Sequence, residues 1–454
     1  MPNKAAIDFG NSNTVVAVWD DQLRQSDVLS IPEFSRGETF LIPSLIAYEP
    51  DGRSFIGGQV PAKASPESKL FRWMKRYINL RSPYSMRVGD QRVDACQAAE
   101  DFLRTLTAAV FSMKDERPDE LVISVPVESF EHYSEWLLSG MKRFENMHIR
   151  LVDEASAAAA GYGMSLHPGD TLLVVDFGGS TLQAVCVSVI EEASSDGRSC
   201  RVLGKAGCNL GGMTLDRWIY EKALQCLGFS ENDSRVRNAS GALLTYCERF
   251  KKILSENEVA VFDFFPDRSF PLSRTELVRF FAEKGLFDRI DEIVEEAIRT
   301  AEDHGLVRDE LTAVLPVGGS CLIPSVIDHL THFFSTEKVM WGEPLGAVAR
   351  GAAVIAGGMH IYDFIQHDYA IRYTDPVTGN YAFHTIIQKG VGYPDRHITP
   401  KMRLKTIYEG QTRFGIAIYE LREGTTHQPS ECNEIFFDAD GAVHVMPLTA
   451  SEID

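Results

Sequence analysis

Residues 5–19 read AAIDFGNSNTVVAVW, and residues 172–187 read LLVVDFGGSTLQAVCV. Each phrase is an apolar run, an Asp-Phe-Gly turn, a few small polar residues and a second apolar run. Apolar runs joined by a short glycine turn predict a β-hairpin. Asp8 and Asp176 stand at the ends of the first strands, where Gly10, Gly178 and Gly179 let backbone N–H groups approach a ligand closely. Ser12, Thr14, Ser180 and Thr181 add hydroxyls. Turn amides suit phosphate, and the two carboxylates are hard oxygen ligands for a hydrated Mg2+. One such turn is most often an ordinary hairpin. Two copies, with a third glycine turn VGGS at 317–320, predict a pair of facing hairpins that clamp a polyphosphate and its metal.

The chain has 454 residues, too many for one ordinary core, so two or more domains are expected. Hydrophobic residues make up 44% and charged residues 24%, as in globular proteins generally. A net charge of −19 argues against a large nucleic-acid or anionic-membrane footprint. The opening MPNKAAIDFG carries no apolar signal core, and no long unbroken apolar stretch follows, so a cytoplasmic protein without a membrane partner is expected. The eight cysteines form no C-x-x-C pair and read as reduced thiols.

Outward from the first hairpin, the spacing predicts strands to about residue 60 and a single helix over 66–80, with Leu70, Trp73, Met74, Tyr77 and Ile78 on one face. A helix at about 94–113, the strand LVISVP at 121–126, and the pair IRLVD then EASAAAAGYG follow. Beyond the second hairpin come helices at 213–228, 239–256 and 275–304, a strand into VGGS, a helix near Pro324 and the helix GAVARGAAVIAGG. After about Tyr362 the text turns to alternating strands, including MRLKTIYEG and a hairpin at Asp440-Gly441. No Walker A loop is present, since Gly204-Lys205 is followed by Ala206, and no G-x-G-x-x-G opens a helix.

The ordered set of glycine turns resembles an actin-like ATPase, and most closely the 70-kilodalton heat-shock chaperones of the DnaK type. IDFGNSN resembles that family's first phosphate loop, which implies that Asp8, Gly10, Asn11, Ser12 and Asn13 lie at the phosphates. WMKRYIN resembles its A-K-R-L-I-G helix, making Lys75 the counterpart of the lysine at the transferred phosphate. ISVP matches its V-T-V-P strand. LVDEASAAAAGYG resembles I-N-E-P-T-A-A-A-x-A-Y-G and puts Glu154 on the carboxylate that positions the attacking water. VVDFGGST resembles F-D-L-G-G-G-T, giving Asp176, Gly178, Gly179, Ser180 and Thr181. NLGGMTLD resembles L-G-G-x-x-F-D, giving Gly211 and Gly212. CERFKKILS resembles C-E-R-A-K-R-T-L-S, the adenosine grip, here Glu248, Lys251, Lys252 and Ser255. LPVGGSCLIPSV resembles L-V-G-G-S-T-R-I-P-x-V, giving Gly318, Gly319, Ser320 and Ile323.

The resemblance implies an α/β fold: a two-lobed actin-like ATPase with ribonuclease H-like lobes at 1–360, an interdomain linker at 361–368, and a small all-β domain at 369–454. That last segment reads as a shortened β-sandwich-like substrate or partner-binding domain with no helical lid, because FFDADGAVHVMP resembles the family's F-D-x-D-A-N-G-I-L-H-V strand pair. The implied cofactors are ATP/ADP and Mg2+, with Asp8 and Asp176 toward the metal and Asp8, Lys75, Glu154, Asp176 and Thr181 as the catalytic set. The implied partners are protein or unfolded-peptide clients, with J-domain and nucleotide-exchange co-chaperones. Five positions depart from the family pattern. Asn11 and Ser12 replace a threonine pair, Ser180 a glycine, Gln183 an acidic residue and Leu322 the arginine that stacks on adenine. These bear on hydrolysis more than on binding. Two alternatives stay open: a nucleotide-switched protein with one dedicated partner and weak or no hydrolysis, and a phosphotransferase of the sugar-kinase branch.

Overall fold

The structure is a computed structural model. It describes the chain apart from residues 1–3, 66, 114–118, 128–130, 142–146, 164–166, 192–197, 366, 375–378, 394–414, 422–431, 438–442 and 448–454. The chain divides into two compact units, Met1–Ile361 and Tyr362–Asp454.

The larger unit contains two sheets built on one plan. In the first, Lys4–Phe9 pairs antiparallel with Asn13–Asp20 and parallel with Glu120–Val125, which pairs parallel with His148–Asp153. In the second, Thr171–Phe177 pairs antiparallel with Leu182–Glu191 and parallel with Ala313–Val317. Arg198–Cys208 extends that sheet on the far side of the hairpin. The registers coincide: Asp8 lies opposite Val15, and Asp176 lies opposite Gln183. The repeated phrase is therefore a repeated hairpin, with each aspartate one residue short of the turn. The strands are apolar on both faces because helices cover both sides, as parallel pairing requires. One core gathers Ile7, Phe9, Phe71, Phe102 and Leu121, and the other gathers Val175, Phe177, Phe250, Phe262 and Ile298.

Helix boundaries follow local chemistry. Asp94 caps Ala95–Ser112 by accepting from the Gln97 amide, and Ser273 with Glu276 forms a capping box on Arg274–Glu283. The single helix expected over 275–304 is two, Arg274–Glu283 and Leu286–Asp303, divided at Gly285 with φ +78°. The helix expected over 66–80 is also corrected. Lys69–Arg72 is a strand paired with Leu45–Tyr48, which buries Phe71, and only Met74–Asn79 is helical. Trp73 joins them at φ +58°, a left-handed conformation unusual for a bulky residue. A hairpin over Val259–Phe265 and Arg268–Ser273 had no place in the sequence reading.

Two short helices, Glu154–Gly163 and Ala347–Ala356, cross at almost bare backbone. A Cβ on Gly351 would stand 1.6 Å from the Ala157 carbonyl oxygen. Gly351→Ala is therefore expected to lower stability by about 3 kcal/mol, because buried backbone cannot yield as a flexible side chain can. Gly241, exposed within Ser234–Glu256 and with nothing within 4 Å of its Cβ position, provides the control. Gly241→Ala should stabilise by about 0.5–1 kcal/mol. Urea midpoints of the two variants check both signs.

In the smaller unit, five strands pair antiparallel in the order Tyr381–Ile387, Asp368–Thr374, Gly415–Leu421, Cys432–Phe437, Val443–Pro447. Within the segment read as a linker, Asp363 and Phe364 pair with Tyr393 and Gly392. The strand expected at MRLKTIYEG and the Asp440-Gly441 turn lie outside the described residues. Among the described residues no helix is long and apolar enough to cross a membrane, and Cys96, Cys186, Cys200, Cys208, Cys226, Cys247 and Cys321 are free thiols.

Candidate functional site

The two hairpin turns and the third glycine turn meet at a cleft of about 420 Å³ in the larger unit. Its walls are the loops at 8–13, 176–181 and 318–323, the start of Gly212–Leu227, and one face of Ser234–Glu256. Every residue expected at the site lines this cleft except Gly211 and Thr14, whose buried hydroxyl instead bonds that of Ser44 at 2.9 Å. Gly211 packs behind it, where a Cβ would stand 2.4 Å from the backbone of Ser180. The loops approach so closely that a Cβ on Gly179 would lie 2.9 Å from the Ser12 hydroxyl. Gly318, at φ +83°, leaves no room for a Cβ, which would be 2.6 Å from the Asp176 carboxylate.

At one end of the cleft three carboxylates share one cation. Lys75 is buried, donates to the Phe9 carbonyl oxygen at 2.8 Å and forms an ion pair with Glu154. The left-handed turn at Trp73 opens the helix that carries Lys75 inward. The hydroxyl of Ser124 donates to Asp8 at 2.7 Å. Burial, then the charge on Glu154, push Asp8 up from the ordinary 3.8 to about 6, against the pull of Lys75. Burial and the charges on Glu154 and Asp8 hold Asp176 well above the ordinary carboxylate range. Burial disfavours the Lys75 ammonium, but Glu154, Tyr133 and Asp8 together outweigh it and raise its pKa. This excess of buried negative charge attracts a cation. Among the described residues no three His, Cys, Asp or Glu side chains converge as a metal cage. The donor set therefore fits Mg2+ held by one or two carboxylates with water and substrate phosphate, rather than an all-protein site.

At the other end, Lys251 is buried, pairs with Asp216 at 2.7 Å and donates to the Gly212 carbonyl oxygen at 2.8 Å. Burial drives Asp216 up to about 6, the Lys251 charge opposing it. Ser320 donates to the Gly178 carbonyl oxygen at 2.9 Å and ties the second and third turns together. Lys252 pairs with Glu248 at 2.6 Å one helical turn apart, while the Ser255 hydroxyl is turned onto the Lys251 carbonyl oxygen. Sequence reasoning missed Asp216 as a site residue, although it closes the quoted phrase NLGGMTLD. It also missed Met213, inside the same phrase, and Arg36 and Leu345, which line the cleft from segments with no motif. Leu322, 46% exposed, faces the cleft where the resemblance calls for a stacking arginine.

Comparison with known proteins gives a consistent picture. The family model described as Hsp70 protein matches residues 85–432. The chain is 28% identical over 387 residues to chaperone protein HscA of Xenorhabdus nematophila, covering 78% of this chain and 57% of that protein. It is 27% identical over 402 residues to chaperone protein DnaK of Deinococcus proteolyticus, covering 79% and 59%. To chaperone protein DnaK of Stenotrophomonas maltophilia it is 28% identical over 429 residues, covering 86% and 65%. The chain thus spans less than two thirds of the length of each of these relatives.

Proposed function

The chain belongs to the Hsp70 family, and from that membership we propose that its cleft binds Mg2+·ATP and hydrolyses it to drive a chaperone cycle. The observation that carries this reading is the cluster of Asp8, Glu154 and Asp176 around buried Lys75, set between two glycine hairpins in register. Mg2+ supplies neutralisation of charge on the phosphate oxygens. The turn amides at 8–13 and 176–181 preorganise those oxygens, and the Lys75 ammonium meets the charge that develops on the transferred phosphoryl group. Glu154, fixed against Lys75, orients the attacking water for in-line displacement. Lys251, held by Asp216, and Leu322 line the adenosine end. The smaller unit carries a peptide or protein client, and nucleotide state sets its affinity, with J-domain and nucleotide-exchange partners acting on the cycle.

Binding of Mg2+·ATP and release of phosphate, measured separately on the full chain, test the proposal. A low-micromolar or tighter affinity with slow, client-stimulated phosphate release is expected. Absence of ATP binding removes it. One observation favours a second reading, a nucleotide-switched binder of one dedicated partner with little turnover. Both oxygens of Glu154 are engaged, one by Lys75 and the other by Gln183. ATP binding without phosphate release, with stoichiometric capture of a single folded protein, would select that reading.

A further inference from the structure

Gln183 is fully buried, and its side chain makes three hydrogen bonds, one to the Val127 backbone and two to the cleft residues Glu154 and Thr181. Its Oε1 accepts from the Val127 backbone N–H at 2.9 Å. Its Nε2 donates to Glu154 Oε2 at 2.8 Å and to Thr181 Oγ1 at 3.1 Å. The amide can point only one way, since a backbone N–H can only donate, so the carbonyl oxygen must face Val127 and the NH2 must face Glu154. Thr181 Oγ1 therefore receives a hydrogen bond from within the protein, and its own proton is left to point elsewhere. Thr181 lines the cleft, beside the turn of Gly178 and Gly179.

The duplicated hairpin supplies an internal comparison. The slot that Gln183 fills opposite Asp176 is filled in the first copy, opposite Asp8, by buried Val15. The hairpin fold thus does not need a polar side chain there. A carboxylate in that slot would accept from Thr181, turning the hydroxyl proton away from the cleft, and would face Glu154 across the same short contact. It would also add a fourth buried negative charge to a cluster with one lysine.

We propose that Gln183 is a positioning residue that aims the Thr181 hydroxyl proton at the nucleotide phosphates and fixes Glu154 in place. This rests on the reading of the cleft as an ATP site. Its test is the preference for ATP over adenosine, read as a ratio of binding constants, which does not depend on hydrolysis.

The paired exchange Glu154→Gln with Gln183→Glu keeps the charge of the cluster and the hydrogen bond between the two positions. It reverses the direction in which Thr181 must bond, and it moves the negative charge that pairs with Lys75 from position 154 to position 183. Adenosine affinity should be unchanged within twofold, and the ATP-over-adenosine preference should fall about tenfold. A merely structural role would be satisfied by the exchange, and an unchanged preference overturns the proposal. Gln183→Met, which brings no charge into the core, serves if the exchanged protein does not fold. It should cost at least threefold in the same ratio while Thr181→Val, in that background, costs no more. Additive losses overturn the proposal. Parent protein that shows no preference for ATP overturns both this proposal and the ATP reading. A strong parental preference that survives both variants overturns this one alone.

Discussion

Lys75→Met is expected to destabilise the nucleotide-free protein by about 3–5 kcal/mol and to reduce phosphate release by about a thousandfold. The stability loss comes from what remains. Lys75 is the buried ion-pair partner of Glu154 and the cation whose charge opposes the upward shift of Asp8 and Asp176. Removing it strands buried negative charge, which is far more costly than the net worth of the pair. In a unit of this size the midpoint of thermal unfolding should fall by about 5–10 °C. Combining Lys75→Met with Glu154→Gln should recover most of that midpoint, because the uncompensated charge goes with its partner, while phosphate release stays low. A single variant that melts within about 2 °C of the parent would show that the ion pair is not a structural element. A double variant that regained turnover would remove Lys75 from the chemistry.

The second large effect runs in the opposite direction. Asp8→Asn should stabilise the nucleotide-free protein at pH 8 while abolishing turnover. Burial raises Asp8 from 3.8 to about 6, so the folded protein holds this proton more tightly than the unfolded chain does. The resulting stabilisation is complete below the unfolded value and is lost as pH rises through the folded one. Above pH 6 the ionised carboxylate costs the folded state about 3 kcal/mol relative to a protonated one. An asparagine keeps an acceptor for the Ser124 hydroxyl and carries no charge. The gain should therefore be about 1–3 kcal/mol at pH 8 and should vanish near pH 4. Saturating Mg2+·ATP should raise the melting temperature of the parent and not of the variant. Thermal scans from pH 4 to 8, with and without nucleotide, read all of this. A gain that was the same at pH 4 and pH 8 would show that the charge on Asp8 is not its source. Stability given up for a charged, cation-hungry pocket is the expected signature of a site under functional selection.

Much of the cleft was legible because its parts are encoded locally. Asp8 and Asp176 follow apolar runs and precede glycines, and that pattern alone specifies a strand ending in an amide-rich turn. Lys251 is spaced along a helix whose apolar face is plain in FKKIL. Lys75 was placed by motif, and periodicity put it on a helix that it started too early. Leu70 and Trp73 fit a helical face on paper, but Phe71 and the pairing of Lys69–Arg72 with Leu45–Tyr48 impose a strand, and the helix begins only after the left-handed turn at Trp73. A two-residue periodicity this short cannot be told from a helical one until the partner strand is known. Asp216 stood inside a quoted phrase, yet its role depends on Lys251, many residues away in the chain and 2.7 Å away in space.

By itself, then, the sequence determined the hairpins, the capped helices and the identity of the groups gathered at the cleft, because turn chemistry and apolar period act over a few residues. Only the tertiary structure decided how those groups pair. It decided that Lys75 is spent on Glu154, that Gln183 must turn its NH2 inward because the Val127 amide can only donate, and that Gly351 is needed because a second helix lies against it. Each of these depends on burial and on neighbours distant in sequence, and the free energy of a buried charge, of a hydrogen bond's direction or of a Cβ contact is set by what surrounds it.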